Sequence, residues 1–460
     1  MDPLFLSRAQ FAFLIAFHFL LPAFTIGLAS YIAVLEGCYL WTRREAYLRI
    51  SAFWIRIFAV SFGMGVVSGI VMPFQFGTNW SRYSEQTAAI VGPLMGYEGL
   101  TAFFLEAAFL GVLLFGRKLV PPWAHFASAV IVALGTLFSA FWILAANSWM
   151  QTPAGFEFVD GRFVPKDWVA AIFNPSFPYR FTHTVVAVYL TTAFTVIGVA
   201  AWYLRHRRYA EESRLMIMMG LLLASVLVPL QAVLGDLHGV NTFEHQPQKL
   251  AAIEGIWEGG PGQPAVIFAI PDEANETNHA EIGIPKLASL YLTHDWDGHI
   301  KGLKDFPRDE RPPVAITFFA FRTMVAMWLV MLGITLWAWM LRARRRLYDT
   351  PAFLRVATWS IPAGYVAVTA GWFTTEVGRQ PWVVYGHLRT ADAVTPFLTG
   401  GDVALSLFFY VVVYAVIFGA GFYYLMRLVQ RGMPEELPDP RTDRRPARPL
   451  SAATGWTGRT

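Results

Sequence analysis

The chain has 460 residues, of which 55% are hydrophobic and only 15% charged, with a formal net charge of +4. A soluble globular chain carries roughly a quarter charged residues, so an ordinary water-soluble domain is excluded, and so small a charge is not the footprint of a nucleic-acid binder. Cys38 is the one cysteine, which excludes an internal disulfide and a cysteine-ligated cluster and leaves a small buried thiol as the expectation.

Apolar runs predict nine membrane spans, at about 10–35, 53–73, 94–116, 125–147, 182–203, 215–235, 314–341, 353–374 and 402–427. A crossing needs roughly 20 residues. The short alternating strands of a transmembrane barrel are not seen. The expected fold is an all-α polytopic membrane protein with nine transmembrane helices. The first run lacks the basic start and small-residue cleavage site of a signal peptide, and is too long for one, so a retained helix is expected. Residues 1–235 would hold helices one to six, 236–313 one long loop, and 314–432 helices seven to nine. The Pro- and Arg-rich stretch 433–460 is expected to be a disordered tail.

Loop charge sets the orientation. Arg43, Arg44 and Arg49 follow the first span, and Arg117 and Lys118 the third. Arg205, Arg207 and Arg208 follow the fifth, and Arg342, Arg344, Arg345 and Arg346 the seventh. By the positive-inside rule these loops and the C-terminus are cytoplasmic, and the N-terminus is periplasmic. The long sixth loop, polar and rich in Gly and Pro, then lies outside. Loops of this length are usually functional or disordered.

Ionisable groups inside spans are functional candidates. His18, in "LIAFHFLLP", has apolar neighbours on both sides. It could bond to a neighbouring helix or ligate a metal or haem through one nitrogen. In the third span, Glu98 and Glu106 lie eight residues apart, which is about 12 Å along an α-helix and roughly 80° around it. Such a pair suits a proton relay better than structure. His125 starts the fourth span, where an interfacial position is expected. His183 lies just inside the outer start of the fifth span and Met324 about ten residues inside that of the seventh. Met324 alone reads as core packing. Beside a histidine of similar depth it becomes a sixth ligand for a low-spin haem, with Arg322 able to meet a propionate. Glu376 ends the eighth span within "GWFTTEVGRQPW", flanked by Trp372 and Arg379.

In order and spacing, "SRAQFAFLIAFHF", "PFQFGTNW", "YEGLTAFFLEAAFLG", "YRFTHT", "QPQKLAAIEG", "FFAFRTMV" and "GWFTTEVGRQPW" resemble subunit I of the cytochrome bd family of quinol oxidases, in its short-loop, cyanide-insensitive branch. The resemblance implies a heme b558 held by His183 and Met324. It also implies heme b595 and heme d, or a third heme b in place of d, with His18 and Glu376 each ligating one of these two. Trp372 would lie between haems, Arg322 and Arg379 would serve propionates or haem pockets, and Glu98 and Glu106 would line the proton route. Lys249 and Glu254 match residues of the quinol-binding loop, although their spacing alone reads as a solvated loop salt bridge. A Glu can accept a proton as quinol is oxidised, and a Lys can bond to a quinone carbonyl.

The implied function is a quinol:oxygen oxidoreductase in the bacterial inner membrane. It would oxidise ubiquinol or menaquinol on the periplasmic side and reduce O2 to water with cytoplasmic protons, building membrane potential without a pump. A homologous second oxidase subunit, and a small single-span one, would be partners within the lipid bilayer; no nucleic acid is expected. A haem-b electron-transfer subunit without an oxygen site, and a proton-coupled transporter using the acids as carriers, are the alternatives.

Overall fold

A computed structural model describes residues 2–434; nearly all of the expected tail, 433–460, lies outside the described residues. The first crossing is two helices, α1 (Pro3–Leu20) and α2 (Pro22–Thr42). Pro22 has no N–H to continue the ladder and restarts it as a first-turn residue, so the chain bends just below His18. After α3 (Glu45–Thr78), the third crossing runs as α4 (Ser81–Tyr97), a π turn over Glu98–Phe103, and α5 (Phe104–Phe115). Pro93 withdraws one ladder donor shortly before that turn. Then come α6 (Pro122–Gln151), a small antiparallel hairpin (Phe156–Val159 with Arg162–Pro165), the short α7 (Trp168–Ile172) and α8 (Phe177–Arg205).

The next helix, α9 (Ala210–His245), runs past the 235 expected from the apolar pattern. Its polar outer turns are satisfied within the protein: Asn241 donates to the carbonyl of Pro175 at 3.1 Å, and the His238 ring packs 5.5 Å from that of His183. The sixth loop is a folded cap. It contains α10 (Pro247–Glu254), an antiparallel ribbon (Ala265–Asp272 with Thr277–Ile284) and α11 (Leu287–Thr293). The chain re-enters as α12 (Val314–Ala343). The eighth expected span is broken into α13 (Pro351–Trp359) and α14 (Ile361–Val377), with Pro362 at the start of the second piece. The last helix is α15 (Gly400–Arg431). Among the described residues, eight helices are long and apolar enough to cross a membrane, and the broken α13–α14 pair occupies the place of the remaining expected span.

Helix α8 is the axis of the bundle: 78% of its apolar window is buried, against 17% for α15. Neighbours approach it closely through small residues, as membrane helices do. A methyl on Gly364 of α14 would lie 2.5 Å from Cα of Thr191. The largest core gathers Leu28 and Ile32 of α2, Phe53, Trp54 and Phe58 of α3, and Phe194 of α8.

The arginine-rich loops share one end of the bundle. Arg44 pairs with Glu211 at 2.7 Å, and Arg208 donates to the carbonyls of Gln430 and Arg431 at 2.6 and 2.8 Å. The sixth loop and the outer end of α6 meet at the other end, where Gln246 donates to the carbonyl of Gln151 at 3.1 Å. Two expectations need correction. His125 is buried rather than interfacial, lying 3.2 Å from Glu36, whose carboxylate also takes Arg117 and Ser51; a buried carboxylate needs such partners, and they draw the imidazole in. Cys38 is only partly covered.

Candidate functional site

The C-terminal turns of α14 touch three groups of candidate ligands. A methyl on Gly371 would come within 3.0 Å of Met324 Sδ. Trp372 packs 5.3 Å from Phe19, the neighbour of His18. Glu376, one turn on, is held by α6: Asn147 and Gln151 donate to its Oε1 at 3.0 and 3.3 Å, and Arg379 pairs with its Oε2. Spacing by one turn puts Asn147 and Gln151 on one face of α6, and Trp372, Glu376 and Arg379 on one face of the α14 end.

Basic groups outnumber acids here. Arg180, Arg379 and Lys249 are 8%, 5% and 4% exposed around the single carboxylate of Glu376. Arg180 donates to Ser148 Oγ at 3.0 Å and to the side-chain oxygen Oδ1 of Asn147, whereas Arg379 Nε is buried with no partner among the described residues. Buried cations call for anions, and the carboxylates of a haem's propionates are anions of the right kind.

His18 is hydrogen-bonded through one ring nitrogen. Its Nδ1 lies 3.0 Å from Ser68 Oγ, and that hydroxyl donates in turn to the Gly65 carbonyl at 2.9 Å. A hydroxyl that gives its proton to that carbonyl accepts from Nδ1, an arrangement that leaves the Nε2 lone pair free for a ligand. This is the outer partner that orients a metal-bound histidine. Beside the ring is Gly69, where a methyl would lie 3.1 Å from Cε1.

His183 and Met324 are at one depth. The Trp328 indole donates to the Val228 carbonyl at 2.9 Å and fixes α12 against α9. Met324 is one turn outward of Trp328, and Gln231, about one turn outward of Val228, donates to His183 Nε2 at 3.1 Å. Gln231 Oε1 is buried with no partner among the described residues, and Gly235 flanks the His183 ring, where a methyl would lie in contact at 3.5 Å. Glycines beside both side chains and an orphaned buried amide oxygen fit a bound planar group such as haem.

Glu98 and Glu106 both face α6. Ser139 donates to Glu98 at 2.8 Å, and a methyl on Gly135 would meet the Glu106 side chain at 2.8 Å. A regular α-helix would separate the two acids by roughly 80°. The π turn inserts one extra residue, about 100° of rotation, and cancels most of that angle. Glu106 Oε1 is buried with no partner among the described residues, as suits a group that hands a proton on.

In the sixth loop, Lys249 and Glu254 are both buried and point to different partners, so the solvated salt bridge suggested by spacing does not form. Lys249 Nζ donates to Gln151 Oε1 at 2.6 Å and Gln246 Oε1 at 2.5 Å. Burial, with Arg180 nearby, holds its ammonium well below the usual lysine range. Burial pushes the Glu254 carboxyl up, against the pull of Arg322 and a hydrogen bond from Tyr291. The Arg322 guanidinium is engaged with loop carbonyls, donating to Ile253 at 2.6 Å and from Nε to Val266 at 3.0 Å; a propionate would share it with the cap.

Asn147, Gln151, Arg180, Gln231, His238 and Gln246 escaped the sequence reading. "NSWMQ" carried a signal, two amides one turn apart at the outer end of a span. His238 fell beyond the apolar run that was taken to end its helix.

Residues 6–433 match the family described as Cytochrome bd terminal oxidase subunit I. Among curated relatives, the cytochrome bd ubiquinol oxidase subunit 1 of Bacillus subtilis (strain 168) is 36% identical over 447 residues, covering 94% of each chain. The cytochrome bd-II ubiquinol oxidase subunit 1 of Escherichia coli (strain K12) is 32% identical, covering 94% of this chain and 97% of its own. In fold, a chain of the bd oxidase from Geobacillus thermodenitrificans superposes with a TM-score of 0.88 at 29% identity, over 94% of this chain and 99% of that one.

Proposed function

The chain belongs to the cytochrome bd terminal oxidase subunit I family, and from that premise we propose how its own residues serve quinol oxidation and oxygen reduction. It is the quinol oxidase subunit of a terminal oxidase, a multi-pass protein of the bacterial inner membrane that carries haem and works with a second subunit and quinol. The finer reading has nine crossings, with the N-terminus and the sixth loop periplasmic and the arginine-rich loops cytoplasmic.

Quinol docks at the sixth-loop cap. Lys249 orients it by donating to a ring oxygen, and Glu254 accepts a proton as the ring is oxidised. Arg322 holds the cap to α12 through the carbonyls of Ile253 and Val266. His183 and Met324 would hold heme b558. His18 through Nε2, and Glu376, would each hold one of the remaining two, heme b595 and heme d, or a third heme b in place of d. When bound, these groups carry electrons from quinol to oxygen and hold the oxygen while it is reduced. Arg379 and Arg180 would neutralise propionates, and Trp372 would fill the space between haems. Protons for water come from the cytoplasmic side, with Glu106 of α5 and Glu98 of the π turn, both facing α6, passing them outward. Release of protons outside and uptake from inside builds membrane potential without a pump. A small single-span subunit is a further expected partner.

The observation that carries this reading is the α14 end, where Gly371, Trp372 and Glu376 contact the surroundings of Met324, His18 and the Lys249 network at once. The test is oxygen uptake by the purified complex supplied with quinol. Uptake that stops in Glu376→Ala is expected. A complex that is reduced by quinol and consumes no oxygen would instead be an electron-transfer module.

A further inference from the structure

Gln151 is fully buried and its amide is bonded at both ends. Its Oε1 accepts from Lys249 Nζ at 2.6 Å and Gln246 Nε2 at 3.1 Å, and its Nε2 donates to Glu376 Oε1 at 3.3 Å. Chemistry fixes this orientation. An ammonium only donates, so it must face the amide oxygen; a carboxylate only accepts, so it must face the amide nitrogen. One turn back on α6, Asn147 is arranged the same way, with Arg180 on its oxygen and Glu376 on its nitrogen at 3.0 Å. Glu376 Oε1 therefore receives two amides, each polarised from behind by a basic side chain, and chains of hydrogen bonds strengthen one another in this way. The two arms differ in one respect. Arg180 comes from a core helix, whereas Lys249 comes from the sixth-loop cap. Moreover, a methyl on Gly378 would lie 2.9 Å from Lys249 Cγ, so the lysine packs directly on the turn that follows Glu376.

We propose that Gln151 is a positioning residue that links the sixth-loop lysine to the Glu376 carboxylate, so that occupancy of the quinol site is felt at Glu376. The inference rests on the roles given above to Lys249 and Glu376. A ring oxygen that draws the Lys249 ammonium toward itself takes it from Gln151 Oε1. The amide then loses its charged partner, keeps only the neutral Gln246 amide on its oxygen, and donates more weakly to Glu376, while the Asn147 arm stays as it was.

The test uses the purified complex and a redox-inert quinol mimic, heptyl hydroxyquinoline N-oxide, read by optical difference spectroscopy. In the wild type the mimic shifts the bands of the haem that is lost in Glu376→Ala. In Gln151→Leu the mimic still binds, as its own fluorescence quenching reports, and the shift disappears. Gln151→Asn, shorter by one methylene and unable to span both partners, behaves the same way and serves if the leucine variant does not assemble. Lys249→Met, with no mimic present, already shows the shifted bands. A wild type without a shift, an undiminished shift in either Gln151 variant, or unshifted bands in Lys249→Met overturns the link. Retention of every haem in Glu376→Ala overturns the ligand role of Glu376 instead, and the link with it.

Discussion

At the scale of single residues, the loop pair Lys249 and Glu254 makes the sharpest statement about pH. Glu254 is displaced upward and Lys249 downward from their ordinary values. Glu254 works as a proton acceptor only when ionised, so quinol oxidation rises with pH through a carboxyl value above the usual range. Lys249 donates to the ring most strongly when charged, so the rate falls again through a lysine value below the usual range. The pH profile of kcat/KM is therefore a bell narrower than ordinary side chains would give. Glu254→Gln should lose the acid limb and about 100-fold or more in kcat/KM, and Lys249→Met should lose the alkaline limb; unchanged limbs would remove both residues from the chemistry. On the other side of the reaction, Glu106→Gln should leave quinol able to reduce the haems while oxygen turnover slows by about 100-fold. Stopped-flow reduction paired with oxygen uptake separates the two steps, and full turnover would place Glu106 off the path. Sequence made these acids and His18, His183 and Glu376 conspicuous, because charge in an apolar run stands out. It left Asn147 and Gln151 unremarked, since a neutral amide at a span's end needs only a solvent-facing partner; their roles come from a carboxylate more than two hundred residues away in the chain.

At the scale of elements, the helix breaks place the site. Pro22 bends the first crossing beneath His18, the π turn brings Glu98 round to the Ser139 face, and Pro362 restarts α14 so that Glu376 faces α6. Pro22 and Pro362 mark two of these breaks, yet the apolar runs over 10–35 and 353–374 read as single spans, because hydropathy does not register a lost ladder donor. The π turn was not readable either, because an α-period estimate presumes the geometry that the turn replaces. The length of α9 was hidden for another reason: its last turns are polar, and only the partners Pro175 and His183 explain why the helix continues. Close approach of α14 to α8 depends on Gly364, where any side chain meets the Thr191 backbone. Gly364→Val should cost roughly 1–3 kcal/mol of overpacking, seen as a lower melting temperature and loosened haem retention. A variant as stable as the wild type would show that the two helices can part without loss.

At the scale of the whole molecule, the alternation of arginine-rich loops with loops sparse in Lys and Arg for their length was legible, and the Arg44–Glu211 ion pair and the bond from Arg208 to the Gln430 carbonyl lie among the arginine-rich ends. The folded cap was not legible: its ribbon and short helices are built from polar and Gly-rich sequence that reads as plain loop. If the cap faces the periplasm, protease added to intact right-side-out spheroplasts should cut between residues 272 and 277, at the ribbon turn, and abolish quinol oxidation; cleavage only in inverted vesicles would reverse the orientation. The central claim is that His183 with Met324, His18 and Glu376 hold haem. Its most direct measurement is the haem content per subunit I in the purified complex, by pyridine haemochrome assay against protein, for the wild type and for His183→Ala. The account predicts three haems in the wild type and loss of the low-spin haem signal from the reduced-minus-oxidised spectrum of the variant. A colourless protein, or a variant with an unchanged spectrum, would contradict it.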